Sequence, residues 1–225
     1  MEKKLHLPKA VIFDMDGVLI DTEKYLVRYW CQAAREAGFP FEWEHGLMLR
    51  SLSMKFAEPK LKEIFGKTFD YKAIRERRKE LMEEQLARTG IEKKPGVDNV
   101  LSWLYEHGIK RAVATATDEE RANRYLKEIG IANAFEHIVC APMVKQGKPC
   151  PDVYLYACQQ IGERPEDCLA LEDSPNGVLS AWRAGCQVVM VPDLTEPETE
   201  LLPLLSGVAH GLEEVISAFS PSKSK

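Results

Sequence analysis

From Pro95 and Gly96 almost to its end, the chain alternates short apolar runs with stretches of helical character, and this order restricts the fold more than any other feature. Helices are predicted at 97–107, 118–129, 151–161, 175–184 and near 211–219, with strands at 110–115, 137–141, 168–172 and 187–191. Gly108, Gly130 and Gly185 stand where three of those helices stop, the place where a left-handed residue ends a helix most easily. Single helices between successive strands imply right-handed crossovers, so the predicted class is α/β, a doubly wound, Rossmann-like parallel sheet. Upstream, Ala10-Val11-Ile12-Phe13 is an apolar run without polar alternation that ends in a carboxylate, Asp14. Such a run reads as one more strand covered on both faces.

Between about Thr22 and Lys94 the pattern is different: helical segments at 22–37, roughly 55–65 and 70–89, with no strand among them. This is read as an all-helical insert. Residues 55–94 hold twelve Lys and Arg against eight Asp and Glu, a net of +4 that leaves −9 for the remainder. Two readings stand: a solvated face laced with i,i+4 pairs, or a basic lid over a site for an anionic substrate. A length of 225 residues suits either one large domain or two unequal ones.

Several classes are excluded by composition. With 45% apolar and 29% charged residues the chain is too rich in aliphatics to be disordered. Its net charge of −5 argues against a general nucleic-acid binder, since phosphate neutralisation needs a basic face. The N-terminal residues show no signal-peptide apolar stretch and no segment has the length to span a bilayer, so a cytoplasmic protein without a membrane partner is expected, with monomer as the default. The six cysteines form no CxxC pair, which leaves reduced, mostly buried thiols rather than a zinc or dithiol site. The tail Ser220–Lys225 is expected to fray.

Chemistry concentrates at the predicted strand ends. Asp14 and Asp16 are two residues apart where a buried strand runs into Gly17, and an unpaired charge there is costly unless a cation or a function compensates it. A turn with an Asx bond is the plainer alternative. Strand 168–172 brings a second acidic pair, Glu172 and Asp173, to its own end. Carboxylates converging from two strands make a hard-oxygen site suited to Mg2+. Thr115 ends another strand, where its hydroxyl and the amides of Ala116 and Thr117 could bond phosphate oxygens, or where it could simply cap a helix. Lys148, between Gly147 and Pro149, is either a loop lysine or a neutraliser of phosphate charge.

Four stretches, Asp14-Met15-Asp16-Gly17-Val18, Val113-Ala114-Thr115-Ala116, Gly147-Lys148-Pro149 with Pro151-Asp152, and Leu171-Glu172-Asp173-Ser174-Pro175-Asn176-Gly177, resemble the four ordered motifs of the haloacid dehalogenase superfamily. More narrowly the chain is similar to the subgroup with a helical cap inserted after the first motif, which contains β-phosphoglucomutase and many small phosphatases. The resemblance implies a catalytic core at 1–17 plus 95–225 and a cap at 18–94, with Asp21, Thr22 and Glu23 at the hinge. It implies that Asp14 attacks phosphorus and becomes an aspartyl phosphate, and that Asp16 serves as acid and then base. Thr115, Ala116 and Lys148 would hold the phosphoryl oxygens, and Mg2+ would be bound by Asp14, the backbone carbonyl of Asp16, and Asp173, with Glu172 as a further or supporting ligand. In the cap, Arg50 and Arg78 are the candidates to face the cleft and select the substrate.

The expected activity is therefore Mg2+-dependent hydrolysis of a small phosphorylated metabolite. Asp16 argues against a haloalkanoate dehalogenase, which needs no acid at that position. A sugar-phosphate mutase is the nearer rival. Its cap histidine, cap arginine and Ser-Lys-Asn are matched here by Leu26, Met54 and Thr117-Asp118-Glu119, an acidic pair expected to repel a second phosphate. A phosphonate-cleaving relative would need a cap lysine, for which neither Lys24 nor Lys55 stands out. Outside enzymes, a phosphoaspartate signalling domain is the alternative, and it would lack both the helical insert and the second aspartate.

Overall fold

The computed structural model describes residues 7–219, so the tail expected to fray lies outside the described residues. Six strands, β1 (Ala10–Phe13), β2 (Lys110–Thr115), β3 (His137–Cys140), β4 (Cys168–Glu172), β5 (Gln187–Met190) and β6 (Gly207–Val208), form one parallel sheet in the order β3-β2-β1-β4-β5-β6. The predicted class holds. Phe13 stands opposite both Val113 and Leu171, so the most apolar strand is central and wholly buried.

Alternation along the strands sends side chains to two separate cores. Val11, Phe13, Val113, Leu169 and Leu171 pack on one face, and Ala10, Ile12, Ala112, Ala114 and Ala170 on the other. Helices cover both: α5 (Val97–Glu106), α6 (Glu119–Glu128) and α9 (Leu212–Phe219) join the first, and α7 (Asp152–Ile161) and α8 (Pro175–Ala184) join the second. Local signals set the helix ends. Asp118 and Ser174 accept bonds from Arg121 and Gly177 backbone amides at 3.1 and 3.2 Å, and Pro175 opens α8 at a position that needs no amide donor.

Four helices intervene between β1 and α5: α1 (Glu23–Glu36), α2 (Trp43–Leu47), α3 (Met54–Phe65) and α4 (Tyr71–Thr89). They are held by an aromatic cluster in which Trp30 meets Tyr71 at 5.4 Å and Phe41 stacks on Phe65 at 5.5 Å. The segments entering and leaving this layer run side by side, with Ile20 bridged to Lys93 and the Asp21 amide donating to the Glu92 carbonyl at 2.9 Å. α2 and β6 were not legible from periodicity. Five residues span little more than one helical turn and two residues show no alternation. Among the described residues no helix is long and apolar enough to cross a membrane.

Candidate active site

Strand order reverses between β1 and β4, and ligands of open α/β sheets bind beyond the C-terminal strand ends at such a point. Asp14 follows β1 there, with its amide donating to the Leu171 carbonyl at 2.9 Å, and Glu172 and Asp173 end β4 beside it. Carboxylate oxygens of Asp14, Glu172 and Asp173 lie within 4.8 Å of one another, all buried.

Lys148 reaches this cluster from the loop before α7. Its Nζ donates to Asp14 Oδ1 and, at 2.6 Å, to Glu172 Oε1. The same Glu172 oxygen accepts from the Tyr154 hydroxyl at 2.6 Å. Burial works to discharge Lys148, but Asp14 and Glu172 outweigh it and hold the ammonium above the ordinary lysine range. One cation cannot satisfy three carboxylates. Burial pushes the Asp14 carboxyl up to about 8 despite the opposing pull of Lys148, and Glu172 adds to the rise. Burial and the neighbouring Asp14 likewise raise Asp173 well above the carboxylate range.

These residues suit a divalent cation on grounds internal to the structure. The donors are all carboxylate oxygens, and Glu172 Oε2 and Asp173 Oδ1 are buried without a hydrogen-bond partner. The turn after β1 also makes room: a Cβ on Gly17, whose φ is +85°, would come within 2.6 Å of Asp173 Oδ2. A substituted residue there would be strained by its backbone and would fill the space beside that carboxylate.

Asp16 points elsewhere. Thr22 and Thr117 hydroxyls donate to its two carboxylate oxygens, the second at 3.0 Å, so its side chain is oriented from both the helical layer and the β2–α6 loop. Thr115 is buried, and its Oγ accepts the Thr117 amide at 3.0 Å. Its hydroxyl thus shapes the loop carrying Ala116 and Thr117, both of which line the cleft.

A cavity of about 90 Å3 lies between the sheet and the helical layer. Asp14, Asp16 and Glu23 lie along its wall with Arg50, Arg75, Arg78 and Arg121. Both cap arginines singled out from the sequence are therefore at the cleft, but their surroundings differ. Arg50 is bound to the core, with Nη1 3.5 Å from Asp173 Oδ2 and Nη2 on the Thr195 hydroxyl. The loop around it is also tied down, since Asn176 Nδ2 donates to the Arg50 carbonyl at 2.8 Å and the Ser53 amide to the Lys148 carbonyl at 3.0 Å. Arg78 is buried and makes no ion pair with any described residue.

Several contributors escaped the sequence reading. Arg75 was findable, because it precedes Arg78 by three residues on one helix face. Glu23 was placed at the hinge but is buried on the cavity wall, its carboxyl raised well above the usual range by burial and then by Asp173. Arg121 and Tyr154 gave no local signal; the fold alone brings them in. The reading of Asp118-Glu119 as a repulsive pair also needs correction. Asp118 caps α6 and pairs with Arg121 at 3.1 Å, which offsets its charge.

The model of the family described as haloacid dehalogenase-like hydrolase matches residues 11–191. Hexitol phosphatase A of Escherichia coli (strain K12) is 34% identical over 215 residues, 95% of this chain and 96% of that protein. The β-phosphoglucomutase of Bacillus subtilis (strain 168) is 30% identical over 191 residues, 81% of this chain and 83% of that one. Among solved structures, a β-phosphoglucomutase from Clostridium difficile has a TM-score of 0.78 at 22% identity and covers 94% of this chain and 96% of its own, a likeness of fold.

Proposed function

The chain belongs to the haloacid dehalogenase-like hydrolase family, and we propose that it works there as a Mg2+-dependent phosphatase that hydrolyses a small phosphorylated metabolite of the sugar-phosphate class through an aspartyl phosphate on Asp14. The observation that carries this reading is the meeting of Asp14, Glu172 and Asp173 at the strand-order reversal, beside a cavity that Asp14 and Asp16 both line. Residues 18–94 act as the cap in this reading and the rest as the catalytic core.

Asp14 attacks phosphorus in line while the ester P–O bond breaks, and Asp16 gives its proton to the departing alcohol. In the second half, Asp16 takes a proton from water as that water attacks phosphorus, and the bond to Asp14 breaks to release inorganic phosphate. Thr22 and Thr117 keep the Asp16 carboxyl aimed for both transfers. Lys148, anchored on Glu172, neutralises charge beside Asp14 while the amides near Ala116 hold phosphoryl oxygens. Asp14, Asp173 and the Asp16 carbonyl would hold Mg2+, with Glu172 in support, and the cation would favour the ionised form of Asp14 and stabilise charge on the transferring group.

Hydrolysis is favoured over mutase chemistry by Leu26, which lines the cavity at the place matched to the mutase histidine and can neither give nor take a proton. Electrostatic repulsion by Asp118 no longer separates the two. Product analysis does: the proposal expects inorganic phosphate in equal amount to free polyol when glucitol 6-phosphate is turned over with Mg2+. Conversion of glucose 1-phosphate to glucose 6-phosphate without release of phosphate would overturn it.

A further inference from the structure

The carboxylates lining the cavity account for the transferring phosphoryl group, but nothing in that chemistry uses three guanidinium groups that line it too. Arg75 and Arg78 come from α4 and Arg121 from the start of α6, and all three line the cavity. Arg78 is only 4% exposed. Its Nε has no hydrogen-bond partner, its Nη1 has only the Met82 sulfur at 3.7 Å, and its guanidinium sits over the Trp30 ring at 5.5 Å. Arg121 Nε is buried and unpartnered as well, although Nη2 holds Asp118. Arg75 meets the largely exposed Glu76 at 3.5 Å and the Tyr71 hydroxyl.

A buried cation without a counter-ion is unfavourable, and crowding two more beside it worsens the repulsion. Burial, followed by Arg121 and Arg75, pushes Arg78 down to about 10. Asp16 offsets this only in part and forms no ion pair with it, its carboxylate oxygens being held by Thr22 and Thr117, while Asp173 is paired with Arg50. A planar fork of donors with free positions, aimed into a cleft, is built for an oxyanion. Resting on Asp14 as the residue that receives the phosphoryl group, we infer that the substrate carries a second anionic group, a carboxylate or another phosphate, seated between Arg75, Arg78 and Arg121. The enzyme thereby selects doubly anionic phosphomonoesters over neutral polyol phosphates.

The test compares kcat/KM for 6-phosphogluconate, glucose 1,6-bisphosphate and glucitol 6-phosphate in the wild type, Arg78→Gln, Arg78→Lys and Arg121→Gln. The wild type is expected to favour at least one doubly anionic probe over glucitol 6-phosphate by about 30-fold or more, the scale of a buried charge pair. The better of the two tells carboxylate from phosphate. Arg78→Gln is expected to shrink that ratio at least about 10-fold, mainly through KM, and Arg78→Lys to restore part of it. If Arg78→Gln does not fold, Arg121→Gln carries the same expectation at its more open position. A wild type with no preference, or variants whose ratio stays within about 3-fold of it, overturns the inference. Calorimetric titration of Asp14→Asn protein with the same probes separates this proposal from the preceding one: a preference for doubly anionic probes in binding, in a protein whose wild type releases no phosphate, keeps this inference and refutes the phosphatase reading.

Discussion

The cavity is lined by carboxylates at the strand ends, its floor, and by the guanidinium groups of Arg75 and Arg78 on α4 and Arg121 on α6, its roof, and the two sets are organised differently. On the floor most charged side chains are fixed by short contacts, Lys148 on Asp14 and Glu172, Tyr154 on Glu172, and Thr22 and Thr117 on Asp16, while Glu172 Oε2 and Asp173 Oδ1 are left unpartnered. On the roof, Arg78 is packed on an aromatic ring and has no ion-pair partner among the described residues. Tight mutual bonding suits groups that must hold position during bond making, because small misplacements there are expensive in rate. Unsatisfied donors suit recognition, because the missing partner comes with the ligand. In the proposed reading chemistry and selection are thus carried by different elements, a division open to attack from either side.

The largest effect is expected on the floor. Asp14→Asn should lower phosphate release on the order of 10^4-fold or more while circular dichroism shows the fold retained, because no other oxygen on the floor replaces the attacking one. Asp16→Asn should cost about 10^2- to 10^4-fold in kcat with KM changed far less, since it removes proton transfer and leaves the roof intact. If either variant instead acted chiefly through KM in steady-state kinetics, floor and roof would not be separate devices.

The same asymmetry governed what the sequence made legible. Asp14, Asp16, Glu172 and Asp173 stood out because a charge at the end of an apolar strand has no packing explanation, and strand ends are easy to locate when the strands are wholly buried. Lys148 was found by its setting, although its burial and its double ion pair come only from the fold. The roof was far less readable. Basic residues on amphipathic helices are common, and nothing local distinguishes Arg78, which is buried and unpaired, from Arg77, which pairs with Glu36 at 2.8 Å on the surface. Arg121 joins the site from a helix over forty residues downstream, so only tertiary structure puts it beside Arg78.

Removing the cation gives an intermediate effect on stability, again confined to the floor. Asp14 is raised to about 8, and Asp173 and Glu23 are raised well above their ordinary values, all first by burial. A folded chain with raised carboxyl pKa values binds more protons than the unfolded one between the usual carboxylate range, about 4, and about 8. Metal-free protein should therefore lose stability as pH rises through that window. Mg2+ replaces the missing protons, so at pH 8 and about 100 times its Kd it should add about 2.7 kcal/mol, or roughly 5–10 °C in Tm by scanning calorimetry. A metal-free Tm that rises between pH 5 and 8 would contradict the buried, proton-holding floor.

The smallest expected effect lies on the roof and tests whether the two sets act independently. Trp30 holds the Arg78 guanidinium at 5.5 Å and itself rests on Tyr71 and Phe41 at 5.4 and 6.3 Å. Replacing it by phenylalanine keeps an aromatic face in the cluster but weakens the attraction for the cation, which is strongest for indole, by about 0.5–1 kcal/mol. Arg78 then samples more orientations, and a doubly anionic substrate must order it on binding. Trp30→Phe should raise KM for such a substrate about 2- to 5-fold with kcat within about 2-fold of wild type, because the ring contacts of Trp30 run to Phe41, Tyr71 and Arg78. A fall in kcat larger than the rise in KM would mean that loosening the roof displaces the floor, and selection and catalysis would have to be treated as one coupled unit.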